Sequence, residues 1–145
     1  MRRLVPFAIA LAIAAITATG AVGATTTTVK TASAGKLGRI LVNGKGVTVY
    51  LFEKDSKNKS RCTGACANAW PPVIAKGTLK AAGGVSAAHL ASFKRSDGKR
   101  QVSYYGKPLY TFIGDGGTPG KTAGQDSKAF GAAWYVLGTN GKKHE

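Results

Sequence analysis

The pattern Tyr-x-Phe-x-x-Asp occurs twice, as Tyr50-Leu51-Phe52-Glu53-Lys54-Asp55 and as Tyr110-Thr111-Phe112-Ile113-Gly114-Asp115, 60 residues apart. Each copy follows a Gly-Lys pair, Gly44-Lys45 or Gly106-Lys107, and each leads through a polar, glycine-containing loop to a tryptophan, Trp70 or Trp134. The chain has no other tryptophan. An ordered set of this kind marks one folding unit used twice in tandem. A unit of roughly forty residues buries too little apolar surface to stand alone, so the two copies are expected to share a core built from their matching rings.

The elements expected of each copy are strands. Ile40–Val42, Val47–Phe52, Phe93–Arg95, Gln101–Tyr105, Leu109–Ile113 and Trp134–Leu137 are rich in β-branched and aromatic residues, the composition that suits a pleated, half-buried surface. Asn43-Gly44 and Asp97-Gly98 stand between such runs, where a tight turn needs residues that tolerate positive φ. Tyr50 and Phe52 alternate with Val49 and Leu51, so that strand presents apolar groups to both faces. The one helical interval expected is short, near Ser86–Leu90. These features define an all-β fold of two tandem pseudo-symmetric repeats packed as one small domain, with at most a short helix. The 20 glycines agree with a turn-rich chain.

The N-terminus carries an address. Arg2 and Arg3 precede Leu4–Ile16, which is apolar apart from Pro6, and small residues follow to Ala24. That order predicts a secretory signal peptide over residues 1–24, cleaved after Ala24. The apolar run of about 13 residues is short of the roughly 18–20 that a spanning helix needs. No cysteine lies near the junction, so a lipid anchor has no acceptor thiol and release into the periplasm or the medium is expected. The Thr/Ala-rich stretch 25–35 reads as a flexible spacer, 36–141 as the duplicated domain with repeats over about 38–80 and 93–141, and 142–145 as a basic tail.

The two motif copies, Cys62-Thr63-Gly64-Ala65-Cys66-Ala67 leading to Trp70-Pro71-Pro72, Arg95-Ser96-Asp97-Gly98 with Gln101-Val102, Tyr105-Gly106-Lys107-Pro108-Leu109-Tyr110, and Gly131 with Trp134 together resemble a secreted repeat family. That family is described as predicted lipoproteins with a Tyr-x-aromatic-x-x-Asp motif, and its biochemical function is unassigned. The resemblance implies an envelope or extracellular protein and supplies neither a reaction nor a ligand.

Chemistry-bearing residues are scarce. Cys62 and Cys66, in an oxidising compartment, are expected to close a disulfide; the small loop gives about 2 kcal/mol by chain entropy. Their Cys-x3-Cys spacing differs from the Cys-x-x-Cys of thiol exchange and of haem attachment. Asp55 and Asp115 follow strands, where a carboxylate accepts backbone N–H groups and shapes a turn; a cation site or a catalytic pair is the alternative. Tyr50, Phe52, Trp70, Tyr110, Phe112 and Trp134 read as core, with a ligand pocket between the tryptophans as the alternative. His89 and His144 have no orienting partner nearby in sequence. No cofactor is expected.

Charge is the remaining signal. Lys+Arg 21 against Asp+Glu 6 gives +15, and about +13 after loss of Arg2 and Arg3 with the signal. Lys94, Arg95, Lys99 and Arg100 flank one turn; Lys54, Lys57, Lys59 and Arg61 occupy the loop before Cys62. These eight are candidates for attraction to anionic envelope polymers or lipid head groups. Nucleic acid is not expected as the physiological partner of an exported chain. The reading is an exported, non-enzymatic β module; the alternatives are a redox or electron-transfer accessory centred on the two cysteines, and a hydrolase using Asp55 and Asp115.

Overall fold

The computed structural model describes residues 14–21 and 23–145; most of the expected signal peptide lies outside them. Among the described residues eight strands and one short helix follow in order: β1 (Thr26–Ser33), β2 (Arg39–Asn43), β3 (Tyr50–Phe52), α1 (Ala65–Ala69), β4 (Thr78–Ala81), β5 (Leu90–Lys94), β6 (Arg100–Tyr104), β7 (Lys107–Pro108) and β8 (Trp134–Val136). They form three small sheets, β2-β1-β4, β3-β8 and β5-β6-β7. The all-β expectation holds.

The sheets are tied together at the motif strands. Tyr50 and Tyr110 exchange backbone hydrogen bonds, the Tyr50 amide donating to Tyr110 O at 2.8 Å and the Tyr110 amide to Tyr50 O at 3.0 Å. From this point the copies cross over. β3, in the first repeat, pairs antiparallel with β8, in the second, with Phe52 opposite Trp134. In the converse pairing Tyr110 bridges Pro72, and the Thr111 amide donates to Pro71 O at 2.9 Å. Each motif strand therefore lies beside the tryptophan segment of the other repeat, and a pseudo-twofold axis runs between the two tyrosines.

The alternation seen in sequence sorts the core onto two sides of these strands. One side collects Val29, Leu41, Val49, Leu51, Val102, Tyr104, Leu109 and Leu137. The other collects Ile40, Val42, Tyr50, Phe52, Trp70, Tyr110, Trp134 and Val136, together with both cysteines. Burying large rings of this kind removes about 150–250 Å² each from water, which dominates the cohesion of so small a domain.

Four expectations need correction. The strand expected over Leu109–Ile113 reduces to bridges at Tyr110, because the chain passes into a 3-10 turn at Ile113–Asp115 that aims Asp115 at Tyr50. The stretch read as a flexible spacer, 25–35, contains β1, the central strand of its sheet, antiparallel to β2 and parallel to β4. Its threonines are β-branched and favour strand backbone, and Val29 alone is buried, so hydrophobic alternation was too faint to reveal it. The helix falls at Ala65–Ala69, starting inside the cysteine loop and running past Cys66, while the interval near Ser86–Leu90 forms only a 3-10 turn at Ala87–His89. In the β2 hairpin the residue with positive φ is Gly46, at +84°, not Gly44; Asn43 Oδ1 accepts the amides of Lys45 and Val47, both at 3.0 Å. The turn at Asp97-Gly98 forms as expected, Gly98 at φ +84°.

Candidate functional site

The six motif rings make a closed, near-symmetric stack. Trp70 and Trp134 lie face to face, centroids 3.9 Å apart and planes 6° apart. Phe52 covers the outer face of Trp134 at 4.0 Å, and Phe112 the outer face of Trp70 at 4.2 Å. Tyr50 meets Trp70 edge-on at 5.4 Å, and Tyr110 meets Trp134 edge-on at 5.2 Å. Edge and stacked contacts suit the ring quadrupoles. No pocket opens between the tryptophans. Gly124 seals the side: a Cβ there would stand 2.7 Å from Trp70 Cη2 and 2.9 Å from Tyr50 Cζ.

The two aspartates complete the exchange between repeats. Tyr50 donates its phenolic hydrogen bond to Asp115 Oδ2 at 2.7 Å, and Tyr110 donates to Asp55 Oδ2, also at 2.7 Å. The second oxygen of each aspartate takes a loop amide, Arg61 N for Asp55 at 2.7 Å and Ala123 N for Asp115 at 2.8 Å. Turn-setting thus describes one oxygen of each carboxylate; the other reaches across the pseudo-twofold. Burial pushes the Asp55 carboxyl above its ordinary range, opposed by these hydrogen bonds and by Arg95 and Arg61. Burial likewise pushes both phenols far up, so they remain protonated donors.

The copies differ around their tyrosine hydroxyls. The Tyr50 hydroxyl accepts the Gly124 amide at 3.2 Å. The Tyr110 hydroxyl instead meets Ser60 Oγ at 2.7 Å, beside the disulfide that joins Cys62 and Cys66. Both cysteines are buried in the aromatic cluster, and Cys62 is the more enclosed.

Arg95 is a correction to the expected basic surface. It is 4% exposed, and its guanidinium reaches Cys62 O at 2.8 Å, Gln101 Oε1 at 2.7 Å, Ser60 Oγ at 2.9 Å and Asp97 Oδ2 at 3.1 Å. A guanidinium presents five donors in a fixed fork, and here the fork pins the 94–100 hairpin to the cysteine loop. It joins at one seam the hairpin that carries Lys94, Lys99 and Arg100 and the loop that carries Lys59 and Arg61, all five exposed. Lys57 and Lys54 are also exposed but lie apart from this seam: the Lys57 stem crosses Gly106, and Lys54 Nζ approaches Gly131. Arg100 leans on Ser92, donating to its hydroxyl and carbonyl. Carboxylates do little to neutralise this surface. Among the described residues Asp97 is paired with Arg95, and Glu53 and Glu145 with Lys143.

A cleft of about 930 Å³ opens on the other side of the 53–61 loop, where Lys57, Lys107, Lys142 and Lys143 converge above Leu51 and Phe52. Sequence reasoning passed over the last three lysines. The available signal was the Gly-Lys pair of each repeat, which places Lys107 beside Gly106. His89 is exposed and stacks on Tyr105 at 3.8 Å.

A duplicated all-β module with crossed motif strands and one disulfide is the class that this fold and geometry define. The family model described as a secreted repeat of unknown function matches residues 31–74 and 91–137, and the chain belongs to that family. The two matched spans begin within β1 and β5, the first strands of the two units. The chain is accordingly an exported protein. No match was found among curated proteins or among solved structures.

Proposed function

We propose that this protein is a non-enzymatic module of the cell envelope or its surroundings that holds anionic envelope polymers against its basic surface, after removal of residues 1–24 as a signal peptide. The supporting observation is the seam made by Arg95: a buried guanidinium, rather than mobile loops, joins two segments from different repeats that together carry five exposed cations. The six motif rings and the two motif aspartates are committed to contacts between the repeats, which leaves the exterior for recognition. A fixed array of like charge attracts a polyanion over long range and is weakened by salt.

The test is co-sedimentation of the mature chain with an anionic cell-wall polymer, a neutral polysaccharide and anionic lipid vesicles over a salt series. Retention by the anionic polymer at low salt, falling steeply as salt rises, is expected. Retention by vesicles alone would move the partner to lipid head groups, and no retention at low salt would end the proposal.

A further inference from the structure

Of the four lysines that line the cleft beside the 53–61 loop, Lys57, Lys107 and Lys142 have no carboxylate partner among the described residues. Lys57 lays its stem over Gly106, with Cγ 2.7 Å from where a Cβ would stand. The loop that carries it is fixed there: the Asn58 amide donates to Gly106 O at 2.7 Å, and Ser103 Oγ donates to Asn58 Oδ1 at 2.8 Å. Lys107, half-buried, donates through Nζ to Gly141 O, which brings its ammonium next to Lys142. The carboxylates at the rim are otherwise engaged. Glu53 and Glu145 both bind Lys143, and Asp55 is held by Tyr110 and by the Arg61 amide. Burial first, and Lys142 second, hold the Lys107 ammonium below its ordinary range.

We infer that this cleft is a binding site for an oxyanion, phosphate or carboxylate, carried on a small uncharged body. Lys57, Lys107 and Lys142 hold the charged group, and Pro108 with the exposed edge of Tyr105 contacts the body. Ammonium groups form charge-assisted hydrogen bonds to oxyanions that are about twice as strong as neutral ones. The site deepens the reading above, since a single acidic unit of a polymer fits it, but it also stands on its own geometry.

The probe is phenyl phosphate, with benzoate as the carboxylate arm and benzyl alcohol as the uncharged control, followed by amide chemical shifts of the mature protein. Saturable shifts at Lys57, Gly106, Lys107, Gly141 and Lys142 are expected with either anion and none with the alcohol; which anion saturates first identifies the group. Lys107→Gln and Lys142→Gln each weaken binding about tenfold, a change of roughly 1.4 kcal/mol, while Lys99→Gln leaves it unchanged. Lys142 makes no side-chain hydrogen bond among the described residues, so its variant tests the site without disturbing the fold. Shifts that spread over all exposed lysines without saturating, or cleft variants that bind normally, overturn the inference. Polymer retention read on the same variants separates the two proposals. Retention lost in Lys59→Gln and Lys99→Gln but kept in the cleft variants, with no saturable anion shift, sinks the cleft alone; saturable anion binding without polymer retention sinks the surface alone.

Discussion

Tyr50→Phe and Tyr110→Phe make the same chemical change at equivalent positions, yet the surroundings predict unequal costs. Tyr50 and Asp115 are both essentially sealed from water, at 0% and 2% exposure. Removing the Tyr50 hydroxyl deprives Asp115 Oδ2 of its donor and leaves the Gly124 amide without its acceptor. A hydrogen bond to a charged group is worth about 1.5–3 kcal/mol, and a buried group left unpaired costs about 1–3 kcal/mol, so Tyr50→Phe should lose roughly 3–4 kcal/mol. Asp55 is more accessible, and Ser60 keeps its bond to Arg95. Water can replace the missing phenol there, and Tyr110→Phe should lose about 1–1.5 kcal/mol. Urea unfolding followed by tryptophan fluorescence measures both. A double-mutant cycle of Tyr50→Phe with Asp115→Asn should show a coupling above about 1 kcal/mol. Equal losses in the two variants, or additive effects in the cycle, would refute the assignment of these bonds as the clasp between repeats.

Gly124→Ala introduces a methyl group into the wall of the tryptophan stack; overpacking of this kind costs about 1–3 kcal/mol, read as a lower urea midpoint with unchanged slope. A chain beginning at Lys36 removes β1 from between β2 and β4 and should lose cooperative unfolding altogether, measured by thermal melting. The two carboxylates with opposite shifts separate by pH. Asp55, raised by burial, holds its proton more tightly in the folded state, so its ionisation lowers stability as pH rises from the ordinary carboxylate value through its folded value. Asp97 is lowered chiefly by the Lys99 amide and then by Arg95, so its contribution is present above the ordinary value and lost as pH falls through its folded value. Asp55→Asn should therefore unfold at the same or higher urea concentration than the parent at neutral pH and Asp97→Asn at a lower one, both converging on the parent in acid.

The sequence made the duplication, the strands near 93–95, 101–105 and 134–137 and the buried rings legible, because each rests on local pattern: alternation along a strand, turn residues between runs, a repeated ring order. The crossed pairing was not legible. Tyr50 bonds to a carboxylate 65 residues away, and nothing in Asp115 or its neighbours distinguishes a reach across the axis from a local turn. Arg95 was misplaced for a related reason. Beside Lys94, Lys99 and Arg100 it reads as one more surface charge, and only the arrival of Ser60, Cys62 and Gln101 from other segments encloses it. β1 escaped because polar β-branched residues cover a strand whose apolar content is one valine and one alanine, and the lysines of the cleft because they are gathered from three separate segments.

The crossed motif strands bear on ancestry and assembly. Neither half of this chain owns a complete set of neighbours for its own Tyr-x-Phe strand, so a polypeptide carrying a single copy would have to borrow them from a twin through a self-complementary, twofold interface. The full-length chain is in effect that dimer written as one gene product, and a half-length version should associate in pairs or fail to fold.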